Sequence, residues 1–181
     1  GDVYKRQLQI YVRSLYTETL MDLSQRVEDI LQGAALMTGT AVDAQWDEHP
    51  MSLPVRNNET LARRWGATQA SRGRDVLPAG TLPDSQAAST DFGNVSHLVP
   101  GIHPLVKIAP EGTAMHTTDF AAAAISDHAF AGAFDAAVGL AQTIADILND
   151  PQLLADAKKE FEAAGGAISV EELLAGAAEQ P

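Results

Sequence analysis

Three of the chain's five histidines, His97, His103 and His116, fall in one stretch, residues 88–124, ASTDFGNVSHLVPGIHPLVKIAPEGTAMHTTDFAAAA. The same stretch carries Ser89, Thr90 and Asp91 in succession. Polar groups that interrupt apolar runs in this way are where chemistry is usually sited. An imidazole so placed can ligate a metal, act as a general base, or sit hydrogen-bonded in the core. Ligands come in sets, so the residues alone favour a structural role for a lone histidine such as His116 over a ligand or base. Asp91 taken alone reads as a turn or cap residue. The chain has no cysteine, so any metal must be held by imidazole and carboxylate.

The elements around these residues follow from local pattern. Val95–Val99 and His103–Ala109 are short, apolar and partly β-branched, broken by Pro100-Gly101, and predict two buried strands. After the turn formers Pro110, Glu111 and Gly112, Thr117 can cap a helix whose first turn holds Asp119. His116 is therefore expected at a loop-to-helix junction, where a side chain can reach a cleft while its backbone is held.

Earlier in the chain, Leu8–Ser14 alternates, with Ile10 and Val12 on one face and Tyr11 and Arg13 on the other. A helix from Thr17 carries an apolar stripe through Leu20, Leu23, Val27, Ile30, Leu31 and Ala34, and Gly33 or Gly39 can end it. Thr40–Trp46 alternates again. The first fifty residues thus read strand, helix, strand, half of a ferredoxin-like split unit. Pro50 and Pro54 bracket a plausible boundary, and Asn57 or Asn58 caps a helix through about Ala70 with Leu61, Ala62 and Trp65 inward. Arg56, Arg63, Arg64, Arg72 and Arg74 make one basic neighbourhood, readable as a phosphate site but better as a solvated helix face. Phe130, Phe134, Val138, Ala141, Ile144, Ala145 and Leu148 predict a long core helix. Asn149-Asp150-Pro151 stops it and starts another to about Ala164.

Composition narrows the function. Hydrophobic residues are 45% of 181, enough for a packed core. A net charge of −12 argues against nucleic acid and against an anionic membrane surface. No apolar run approaches the roughly 20 residues that span a bilayer, so no membrane partner is expected. The absence of cysteine fits a reducing, cytoplasmic setting. Residues 1–7, GDVYKRQ, resemble translated adapter read-through and are set aside as a non-native edge. The expectation is the back half of a longer protein: 8–50 the end of one domain, 51–164 part of a second, and 165–181 an acidic tail.

The run STDFGN…VPGIHP…AMHTTDF resembles the C-terminal signature of the aminoacylase and carboxypeptidase superfamily of dinuclear zinc hydrolases, peptidase family M-twenty. Within it the likeness is nearest the β-alanyl-lysine dipeptidase and aminobenzoyl-glutamate hydrolase branch. The resemblance covers roughly residues 8–164. It implies an α/β fold: the C-terminal half of a zinc-peptidase α/β sandwich, preceded by the end of a ferredoxin-like lid domain that commonly makes a homodimer. Residue by residue it implies His116 as a metal ligand and Arg13 as the lid arginine that grips a substrate carboxylate. It places Ser89, Thr90 and Asp91 in the loop lining the site. Asn94 and His103 are further candidates without an assigned role, and His97 is structural.

The implied reaction is hydrolysis of the amide bond of a dipeptide or N-acyl amino acid by a metal-activated water. A bound metal can depress the pKa of its water to about 7. Two Zn2+ per full-length subunit are implied, with Mn2+ or Co2+ also compatible with imidazole and carboxylate. An arginine fork suits a carboxylate better than a lysine does. The glutamate base and the remaining ligands are expected upstream, so the chain alone is expected to be inactive. The competing readings are a non-catalytic binding or assembly module on the same fold, and a stand-alone helical interaction protein.

Overall fold

The computed structural model describes residues 6–46, 51–78, 80–81 and 90–172. Among these lie six helices and no strand: α1 (Thr17–Thr38), α2 (Glu59–Ser71), α3 (Phe92–Ser96), α4 (Thr118–Ala123), α5 (Asp127–Asn149) and α6 (Pro151–Ala163). The chain divides into two units. One takes in Gly1–Val55, Leu82–Asn94 and Ser169–Pro181, the other Arg56–Thr81 and Val95–Ile168.

In the first unit α1 runs its full expected length and stops at Gly39, whose φ of 63° is the left-handed turn that glycine adopts most cheaply. The Thr40 N–H closes that turn on the Ala35 carbonyl at 3.0 Å. The following segment is tied to the helix by Trp46, whose Nε1 donates to Glu28 Oε2 at 2.7 Å. Hydrogen bonds from Gln32 and then Trp46 hold the Glu28 carboxyl below its usual range. Residues 8–14 and 40–46 are not helical, yet neither forms a ladder with another described segment. Alternation gives a segment one apolar face, whereas a strand exists only once a neighbour accepts its backbone hydrogen bonds.

Val95–Val99 departs further from expectation. Its first two residues close α3 and the rest form a turn, with the Leu98 and Val99 N–H groups on the Val95 carbonyl. An apolar run this short satisfies a buried strand and a helical turn equally. The His103–Ala109 segment is neither helix nor strand and joins no ladder with another described segment, and exposure alternates along it, with Leu105 71% exposed and Ala109 buried. It is one-sided, not a strand buried on both faces.

The second unit is built on α2, α5 and α6, each packed on the other two. Asn58 is the N-cap of α2: its Oδ1 accepts from Leu61 N at 3.1 Å and its Nδ2 donates to the Ala157 carbonyl at 2.9 Å, linking α2 to α6. Glu160 of α6 reaches the same helix start and accepts from Thr60 N at 2.9 Å and Thr60 Oγ1 at 2.7 Å. Burial pushes the Glu160 carboxyl up, but the Thr60 hydroxyl and the Glu59 and Thr60 N–H groups outweigh it, so the group sits below its ordinary range. Asp150 caps α6 with Pro151 at its first turn, as the sequence predicts.

Helix α5 is turned the opposite way from expectation. Its buried residues are small, Ala129, Gly132, Gly139 and Thr143, while Phe130, Phe134, Ile144 and Leu148 are exposed. The small face exists because α2 comes close: a Cβ at Gly139 would lie 2.6 Å from Trp65 Nε1 and closer still to Gln69 Nε2. Polar ties fix the same rotation. Gln69 Nε2 donates to the Asp135 carbonyl at 2.8 Å, and Arg64 pairs with Asp146. Arg72 and Arg74 converge on the Asp135 carboxylate at 2.6 and 2.7 Å.

The basic neighbourhood is therefore neither a free phosphate site nor a simple solvated face. Four of its arginines pair with carboxylates, Arg63 with Glu59 included, and the Arg56 guanidinium donates to the Ala164 and Gly166 carbonyls. Helix α5 also corrects the expectation about apolar length. Its 23 residues, with a mean hydropathy of 1.2 over the most apolar window, are long and apolar enough to cross a bilayer by length and composition alone. Asp135 and Asp146 lie on that helix, both ion-paired to arginines.

Candidate functional site

His116 stands where the sequence puts it, one residue before the cap of α4. Thr117 Oγ1 accepts from Phe120 N at 3.2 Å, with Asp119 in the first turn. The His116 side chain is exposed, and among the described non-glycine residues it alone has a positive φ, 63°. The left-handed region is costly for a side-chain-bearing residue, and such outliers gather at functional sites. His103 is exposed, and its N–H donates to Asn57 Oδ1 at 2.7 Å. His97 is buried, and its carbonyl accepts from Ile168 N at 2.9 Å.

The remaining candidates belong to the other unit. Arg13 is exposed and its guanidinium lies 5.4 Å from the centre of the Tyr11 ring. Thr90 and Asp91 make the turn that enters α3: Thr90 Oγ1 donates to Asp91 Oδ1 at 3.1 Å, and the Thr90 and Asp91 carbonyls accept from Gly93 and Asn94. Asn94 is a structural clamp, accepting from Leu53 N at 2.8 Å and donating to the Met51 carbonyl at 3.0 Å. Ser89 lies outside the described residues.

The metal can be tested against this arrangement. Among the described residues no group of three or more His, Asp or Glu side chains is placed to hold an ion. A zinc site takes three or four protein ligands, so these residues do not fit a resident metal by themselves. His116 can offer one imidazole to a centre completed by other groups, and no more.

What the second unit does assemble is a cleft of about 870 Å³. Its apolar walls come from Ala109, Pro110, Ala122 and Ala123, and its polar groups are Arg74, Lys107, Thr113, Asp119, Ser126 and His128. His116 is not among its walls. Lys107, Asp119 and His128 are not singled out by sequence reasoning. A signal was present: Thr117-Thr118-Asp119 and Ser126-Asp127-His128 both place a cap two residues before an ionisable side chain, so both side chains are held at helix starts.

No family model matches the chain, and no solved structure matches it. Two curated proteins do. A protein of Mus musculus named Xaa-Arg dipeptidase is 34% identical over 155 residues, 86% of this chain and 36% of its own length. Its Homo sapiens namesake is 31% identical over 155 residues, again 86% of this chain and 35% of its own. The chain spans about a third of the length of the curated relatives it matches. It is thus a relative of dipeptidases.

Proposed function

We propose that this chain takes part in metal-dependent hydrolysis of the amide bond of a dipeptide, or of an N-acyl amino acid, supplying one metal ligand and substrate contacts. The observation that carries the proposal is the likeness to proteins named Xaa-Arg dipeptidase across 86% of the chain. A dipeptide with arginine second is accordingly the first substrate to try. His116 is the ligand, exposed on a backbone turn that holds its Cα in place. Arg13 is the carboxylate grip, and Ser89, Thr90 and Asp91 line the site. The metal is zinc, with manganese or cobalt as substitutes. Since the described residues do not hold an ion by themselves, this reading gives the isolated chain no turnover.

The α/β sandwich with the end of a lid, and a homodimer through that lid, belong to the same proposal. In that sandwich the one-sided segment at 103–109, which is in no ladder among the described residues, would be a strand with neighbours supplied from outside this chain. The second reading, a non-catalytic binding or assembly module on that fold, is favoured by the exposed apolar side of α5.

Two assays decide. The purified chain incubated with zinc and alanyl-arginine is expected to release no amino acid; measurable release overturns the partial-site reading. In the longest reading frame that contains the chain, His116→Ala is expected to abolish hydrolysis and lower bound metal, and Arg13→Ala to raise KM with little change in kcat. An unaffected His116→Ala enzyme removes the ligand assignment, and a metal-loaded parent that binds alanyl-arginine without cleaving it favours the second reading.

A further inference from the structure

We infer that the cleft of the second unit is a binding site for a zwitterionic dipeptide, held by its two charged termini. The identity of the ligand rests on the dipeptide reading above; the charge pattern does not. Lys107 and Asp119, of opposite sign, line the same 870 Å³ space with His128, and none of the three side chains is hydrogen-bonded or ion-paired to another described residue. Four arginines of the same unit, Arg63, Arg64, Arg72 and Arg74, do each pair with a carboxylate. A volume in the range of roughly 300–1,000 Å³, apolar walls and a few polar groups of fixed position describe small-molecule sites in general.

The positions of the groups are set by the fold. Lys107 lies on the segment that runs beside Gly132 of α5, whose missing side chain lets the Lys107 carbonyl and Ile108 approach. Asp119 is fixed in the first turn of α4 behind its Thr117 cap, and His128 in the first turn of α5 behind Ser126. Arg74 adds a guanidinium pinned by Asp135, with Nη1 3.5 Å from the Lys107 carbonyl. The Asp119 carboxylate is complementary to an α-ammonium and the Lys107 ammonium to an α-carboxylate. The alanine and proline walls accept the aliphatic body between them. A dianion such as phosphate suits this cleft less well, because Asp119 faces it.

The test is a titration of the 181-residue chain in EDTA, which separates binding from any metal-dependent turnover. Backbone amide shifts are followed by NMR with alanyl-arginine, N-acetyl-alanyl-arginine, alanyl-arginine amide and inorganic phosphate as probes. Alanyl-arginine is expected to move the amides of Lys107, Asp119 and His128. Asp119→Asn should weaken alanyl-arginine about tenfold yet leave the N-acetyl probe unchanged; Lys107→Met should do the same for alanyl-arginine while sparing the amide probe. No shift at these residues up to millimolar probe, equal losses for capped and free probes, or phosphate binding more tightly than the dipeptide would each overturn the assignment. Any of those outcomes leaves the His116 hydrolysis proposal standing, and loss of that proposal alone leaves this binding result intact.

Discussion

A side chain at φ 63° is a small liability, and His116 carries it on an exposed turn. Glycine relieves that backbone while alanine does not, so the two replacements separate conformation from chemistry. His116→Gly is expected to be more stable than His116→Ala by about 1 kcal/mol in denaturant unfolding; equal stabilities would mean the turn is unstrained in solution. Asp135 is the opposite kind of residue, a carboxylate whose task is structural. Hydrogen bonds from Arg74 and then Arg72 hold its pKa below the ordinary 3.8. Its contribution is therefore complete above that value and is lost as pH falls through the depressed one. The melting-temperature gap between the native chain and Asp135→Asn should be constant from about pH 7 to 5 and close in stronger acid. A gap that persists in acid would show that the arginines act through packing instead.

At the scale of the element, α2 and α5 meet because Gly139 leaves room for Trp65 and Gln69, which are 8% and 1% exposed. Gln69 is itself tied to the Asp135 carbonyl, so it cannot swing aside freely. Gly139→Ala should accordingly cost about 1–3 kcal/mol of unfolding free energy through overpacking, against the usual gain from alanine in a helix. A stabilised variant would refute the close approach. Helix boundaries were legible in the sequence because caps are local: Gly39, Asn58, Thr117, Asp150 and Pro151 act through their own backbone neighbours. The rotation of α5 was not. Periodicity finds a large-residue stripe at Phe130, Phe134, Ile144 and Leu148, but cannot say that a tryptophan 74 positions earlier than Gly139 needs the small side instead. The short α3 was misread for a similar reason, since five residues give too few turns for helical spacing to show. The candidate site divides along the same line. His116 at its junction was readable from Thr117, whereas the cleft formed by Lys107, Asp119 and His128 arises from long-range packing.

For the molecule as a whole, the outward side of α5 sets the most testable property. Phe130, Phe134, Ala137, Ala141, Ile144 and Leu148 recur at alternating spacings of four and three, the spacing of a seam that receives another apolar surface. The large members are between 59% and 78% exposed. Apolar patches of this kind mark interaction sites or, left uncovered, a tendency to associate. The net charge of −12 opposes close approach of two copies, most strongly at low salt. The two effects together predict association that grows with ionic strength, because salt screens the repulsion and leaves the apolar attraction. Sedimentation velocity at about 0.05 and 0.5 M salt should show the mean mass rising with salt. Phe130→Glu with Leu148→Glu should abolish that rise while leaving the melting temperature within a few degrees, since neither side chain is buried. If the double variant unfolds instead, the seam is a packed face of the folded chain, and the rotation assigned to α5 is wrong.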